Sequence, residues 1–285
     1  MATFLKPDKV WYILGVPVKE YFLTKHNPNK IALPAKRTLN LVGPTVHNTP
    51  KINQAKGTTM AEQHVRATVN GNMGTVRVHF YVDDVEIWQD LPLDWQSWHA
   101  GQSGKAERNG SAYGNQATIS IEVIGNTPKA EQNAAKLVAW LLNKYNMSVD
   151  DVYTHNYWVN VRNGVKAEEG EDLRTKPDGY KCCPIYIIPH WPVFLSSIKS
   201  FMHILKNEEY NNSVTEGDGS FLVRVLDPAL NVRSAPGTKN DIVYVIEDNG
   251  VYTITETKKV GLVEWGRLKS DIGWISLGNK YVIKL

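Results

Sequence analysis

Two histidines and one thiolate form a ligand set for zinc, and this chain offers them at His47 in VHNT, His155 in THNYW and the cysteine pair of Lys181-Cys182-Cys183-Pro184. A zinc held by only three protein groups keeps a fourth position open for water, which separates a catalytic centre from a structural one. A structural zinc hook needs cysteines at short regular spacing. Cys182 and Cys183, the chain's only cysteines, are adjacent and cannot form a CxxC hook. Glu122 is a further chemical candidate, since a carboxylate inside the short apolar strand 119–124 is costly unless it is paired or faces a polar cleft. Asp83 and Asp84 form the one other tempting acidic pair. A glycosidase needs two carboxylates roughly 5–9.5 Å apart across a sugar, and adjacent strand residues point to opposite faces.

The ordered series VHNT (46–49), VHFYVDD (78–84), WHAG (98–101), GNQATISIE (114–122), THNYW (154–158) and KCCP (181–184) resembles the zinc-dependent N-acetylmuramoyl-L-alanine amidases, whose fold is similar to that of the peptidoglycan-recognition proteins. The resemblance spans about residues 30–205 and is similar to endolysins of phages or prophages of Gram-positive, clostridial bacteria. It implies one zinc ion on His47, His155 and Cys183, with Cys183 preferred over Cys182 because the family places cysteine directly before proline and lysine two positions earlier. It also implies that Lys181 steadies the oxyanion and that Glu122 orients or deprotonates the attacking water. His79 and His99 fall in the matching VHF and WHAG motifs, where a histidine contacts substrate or a metal ligand, and Trp98 is expected to wall the groove.

The chain departs from the family pattern at two places. Val78 stands where related phage amidases carry a catalytic tyrosine, which shifts weight to Glu122. The stretch from His155 to Cys183 is also long and charged, an insertion expected to cover the cleft or shape specificity. Activity on peptidoglycan is the function implied, and a non-catalytic muropeptide-binding protein of the same fold is the alternative. A zinc ligand set, Lys181 and Glu122 are more than binding needs.

These residues must be positioned by a scaffold, and its elements are legible in part. Residues 39–49 read as a strand ending at His47, 60–69 as a helix carrying His64, 75–89 as a hairpin broken at Asp83-Asp84, and 129–145 as a helix with one apolar face. Residues 1–30 read as a lead-in strand and loop, with His26 a surface residue. Strands interleaved with helices predict an α/β domain over 1–205, a mixed central sheet flanked by helices. Polar 206–217 reads as a linker, and 218–285 as a small all-β barrel of about five strands, whose LNVRSAPG and WGRLKSDIGWISL resemble bacterial SH3-type wall-binding domains.

Composition sets the outer limits. With 42% hydrophobic and 21% charged residues the chain reads as globular, and a net charge of +3 offers no basic face for nucleic acid. Nine tryptophans and thirteen tyrosines suit flat packing on sugars as well as a core. No run of eighteen apolar residues predicts membrane insertion. The N-terminus lacks a secretory signal pattern, so the expectation is synthesis in the host bacterial cytoplasm and passage to the wall through a separate holin-like factor.

Overall fold

The computed structural model describes residues 5–50, 53–100, 114–177, 182–215 and 220–285. The chain divides into two compact units, residues 1–203 and 204–285.

The first unit is built on a seven-stranded mixed sheet. Its strands are β1 (Lys9–Ile13), β2 (Val16–Glu20), β3 (Gly43–Thr49), β4 (Phe80–Val82), β5 (Ile87–Gln89), β6 (Thr118–Ile124) and β7 (Tyr153–Thr154), in the order β1-β2-β5-β4-β6-β3-β7. β3 runs parallel to both β6 and β7, and β4 runs parallel to β6. Parallel neighbours need crossovers, and the helices supply them. They are α1 (Met60–Val69), the short α2 (Gly114–Ala117), α3 (Pro128–Lys144), α4 (His155–Arg162) and α5 (Trp191–Thr215).

Each longer crossover helix starts on a threonine. Thr59, Thr127 and Thr154 accept the backbone N–H of Glu62, Ala130 and Tyr157, three residues on, satisfying donors that the first turn leaves unpaired. The two faces of the sheet then divide by parity. Tyr81, Trp88 and Ile124 bury against Met60, Ala61, Val65 and Val69 of α1. Val46, Ile119, Ile121, Val123 and Phe80 alternate to the opposite side, where α3 packs on β3, β4 and β6.

The expected helix 60–69, the hairpin around Asp83-Asp84 and the mixed sheet are present. Three details differ. β3 continues two residues past His47, to Thr49. The N-terminal segment is an antiparallel hairpin, β1 with β2, that extends the sheet by parallel pairing to β5. The stretch read as a linker is helical up to Thr215, the end of α5. The Asp83 carboxylate is a fully buried turn anchor that accepts the N–H groups of Ala61, Val85 and Glu86.

The second unit is all-β, with seven strands against the five or so expected: β8 (Phe221–Val225), β9 (Leu230–Arg233), β10 (Ile242–Ile246), β11 (Val251–Val260), β12 (Val263–Leu268), β13 (Trp274–Ser276) and β14 (Val282–Lys284). They pair antiparallel in the order β10-β9-β13-β12-β11-β8-β14 around a core of Val223, Val225, Val232, Ile246, Ile254, Ile275 and Val282. The expected turns are in place: the Asp248 carboxylate accepts the Gly250 N–H between β10 and β11, and Asp271 takes a positive φ between β12 and β13.

Candidate metal centre

A polar stripe crosses the parallel strands on one face. Alternation places Thr45 and His47 of β3 beside Thr118 and Glu122 of β6, while the intervening Val46, Ile119 and Ile121 bury on the other side. His47 and Glu122 are direct register partners, so backbone pairing sets a ligand candidate and a carboxylate on neighbouring strands with side chains on the same face. His47 is buried and Glu122 half-buried.

The other two ligand candidates come to His47 from α4 and from the segment before α5. His155 is the first residue of α4, just past its Thr154 cap. Cys183 is held to that helix start because its carbonyl accepts the Asn156 N–H at 2.9 Å. The donor atoms of His47, His155 and Cys183 lie within 4.8 Å of one another, and Cys183 Sγ stands 3.8 Å from His47 Nδ1. Tetrahedral zinc, with Zn–N near 2.0–2.1 Å and Zn–S near 2.3 Å, sets a nitrogen-to-sulfur separation of about 3.6 Å. The donor set and the His47–Cys183 spacing therefore fit a zinc ion. Cys182 is not in this group.

His99 sits directly behind His47, its Nδ1 2.7 Å from His47 Nε2 with the two rings nearly perpendicular. Burial pushes the His99 pKa down to about 3, so the ring is neutral. Asn115 Oδ1 accepts the backbone N–H of both His99 and Ala100, which clips the WHAG motif to the GNQATISIE motif.

His79 is fully buried, with Nδ1 against Ser120 and Nε2 3.1 Å from the Trp95 carbonyl, so it braces β4, β6 and the loop ahead of WHAG and is not brought to the trio. Burial holds its pKa well below the usual histidine value, with Arg37 adding repulsion. Trp98 is half-buried and pairs through its backbone with Arg77. Lys181 lies outside the described residues. His64 Nδ1 donates to the Met60 carbonyl of its own helix, and His26 stacks on Tyr21 beside Asp8.

The charged insertion is pinned to α4. Asn160 Nδ2 donates to the carbonyls of Leu173 and Lys176 at 3.0 and 2.8 Å, and Thr154 Oγ1 donates to that of Arg174 at 2.7 Å. The sequence reading missed Tyr81, which is in register with Glu122. Its hydroxyl is fully buried against Thr68 of α1 at 2.8 Å, and burial raises its pKa. Also missed were Thr45, Thr118 and Trp158 behind the site, and of these Thr118 alone lies in a stretch with a sequence signal, the strict alternation in TISIEV.

The chain is 41% identical over 118 residues to the N-acetylmuramoyl-L-alanine amidase XlyA of Bacillus subtilis (strain 168), covering 40% of this chain and 36% of that protein. It is 34% identical over 160 residues to the N-acetylmuramoyl-L-alanine amidase CwlH of the same organism, covering 55% and 52%. The match thus spans about a third to a half of the length of these relatives. A solved mutant endolysin from Bacillus subtilis overlays 64% of this chain and 99% of its own at 30% identity, with a TM-score of 0.47. Residues 40–171, the stretch that carries His47, His99, Glu122 and His155 and stops short of Cys183, match the family model for N-acetylmuramoyl-L-alanine amidase.

Proposed function

We propose that this chain is a peptidoglycan hydrolase that cleaves the amide bond between N-acetylmuramic acid and L-alanine, and that it acts as an endolysin. The observation that carries the reading is the meeting of His47, His155 and Cys183 beside Glu122, in a stretch largely covered by the amidase family match. His47, His155 and Cys183 would hold one zinc ion. Bound there, zinc supplies Lewis acidity toward the scissile carbonyl and makes water acidic enough to lose a proton near neutral pH.

The chain's own residues do the rest. The Glu122 carboxylate takes the proton of the attacking water and later returns it to the leaving amine, a role that fits its place one strand from His47. Lys181, two residues before Cys183 in the sequence, is the residue proposed to supply a fixed positive charge for the developing oxyanion. The buried His47 and Cys183 keep competing water off the donor atoms.

The second unit reads as an SH3-like cell-wall-binding module. It contains a cavity of about 220 Å³ whose lining includes Trp265, Tyr281, Arg233 and Asp227, aromatic and charged surfaces of the kind that take glycan or peptide. No helix among the described residues is long and apolar enough to cross a membrane, and the proposed route to the wall is release from the host cytoplasm by a separate holin-like factor.

The test is turbidity loss on purified cell walls, followed by assay of new amino termini against new reducing ends. New amino termini, abolished by a chelator and restored by zinc, are the expected result. New reducing ends without amines would replace the amidase by a glycosidase, and wall binding without either product would leave a muropeptide-binding protein.

A further inference from the structure

A continuous chain of hydrogen bonds runs behind the candidate metal centre, and its direction is fixed at both ends. The Trp158 indole N–H, which can only donate, is 2.8 Å from Thr45 Oγ1. Thr45 Oγ1 donates to Thr118 Oγ1 at 3.0 Å, and Thr118 Oγ1 donates to the Gly114 carbonyl at 2.6 Å. That carbonyl, which can only accept, also stands 3.1 Å from His99 Nε2, with Thr118 Oγ1 at the same distance. His99 Nδ1 then meets His47 Nε2 at 2.7 Å. Thr45 and Thr118 are fully buried and Trp158 is 5% exposed, so water is a poor substitute for any member.

The polarity follows from donor and acceptor counting. Because Trp158 occupies the acceptor side of Thr45, the Thr45 proton points to Thr118 and the Thr118 proton to Gly114. Facing an acceptor-only carbonyl, His99 Nε2 carries its ring proton. An imidazole whose one ring proton sits on Nε2 presents a lone pair at Nδ1, and the 2.7 Å contact then needs a proton on His47 Nε2. The remaining lone pair of His47 lies on Nδ1, the nitrogen that faces Cys183. The opposite arrangement would put a proton on His47 Nδ1, where no metal could be held.

We propose that His99 is a positioning residue that locks His47 in the tautomer with its lone pair on Nδ1, and that Trp158, Thr45 and Thr118 set the direction of the chain that holds His99. The inference rests on the reading of the trio as a zinc site. It also gives the tryptophan of THNYW a task on the protein side of the site. The backbone is built to allow it: a Cβ at Gly114 would stand 2.8 Å from the Ala100 Cβ and 3.0 Å from the Trp158 ring.

The experiment uses the full chain. Zinc affinity is measured by competition with a chromogenic chelator, and the His47 ring nitrogens are read by ¹⁵N NMR in chelator-stripped protein. His99→Phe, which keeps a ring and loses both nitrogens, should weaken zinc binding about 10–100-fold and leave His47 as a mixture of tautomers. His99→Asn, which restores an acceptor near the Nδ1 position, should recover most of the affinity. Wild-type zinc affinity with a single His47 tautomer in folded His99→Phe overturns the proposal. If that variant does not fold, Thr118→Val takes its place, with a smaller loss of affinity expected and no loss overturning the proposal. A wild-type chain that binds no zinc would remove the reading of the trio, whereas the His47 tautomer in stripped protein still decides the relay.

Discussion

At the residue scale, Cys182 and Cys183 are chemically identical neighbours that the fold treats differently. Only Cys183 joins the histidines, so Cys183→Ser should lose stoichiometric zinc and Cys182→Ser should keep it, as measured by metal analysis of the purified protein. The reverse result would shift the ligand register by one residue. Glu122 is half-buried on the strand beside His47, and under the proposed function it moves a proton and does not hold the ion. Glu122→Gln should therefore leave zinc content and folding near wild type while turnover falls about 10²–10⁴-fold. Loss of zinc together with activity would make Glu122 a ligand. The grouping of His47, His155 and Cys183 was legible in the sequence because a zinc ligand set demands particular side chains. Thr45, Thr118 and Trp158 were not, because threonine and tryptophan are ordinary core residues until the topology joins positions 45, 114, 118 and 158.

At the element scale, the site depends on how β3 is seated. Gly43 opens β3 at φ +149°, and a Cβ there would lie 1.8 Å from the Asp151 carbonyl oxygen, inside any permitted contact. Gly43→Ala should destabilise the fold by at least about 2 kcal/mol and lower zinc affinity with it, since β3 must shift and carry His47 along. Thermal unfolding and chelator competition on the same variant read the two effects, and unchanged values in both would show that the strand start is soft. Elements with a clear period were the ones the sequence disclosed: α1, α3 and the alternating β6. The β1–β2 hairpin was obscured because its turn uses Leu14 and Gly15, both at positive φ, and leucine is not a turn residue. The end of α5 was obscured for the opposite reason, since KNEEYNN has no apolar period to announce a helix whose range reaches Thr215.

At the scale of the whole molecule, two compact units have separate cores, so each should fold without the other. Residues 218–285 alone should sediment with Gram-positive cell walls, and deleting them should weaken activity on intact walls more than on soluble muropeptides, because tethering raises local substrate concentration. Equal loss on both substrates would mean that the second unit supports the first unit's fold instead. The first unit also has a feature with a practical reach. Its charged insertion returns to α4 at both ends: the Val165 N–H donates to the Asn160 carbonyl, and the carbonyls of Leu173, Arg174 and Lys176 are taken by side chains of the same helix region. Between these anchors, residues 166–171 are exposed. Doubling the length of such a closed loop costs only about 0.6 kcal/mol. The tip is thus a ready-made socket for an epitope tag or a fluorescent reporter, accepting foreign sequence while the anchors keep hold of the helix that begins at His155.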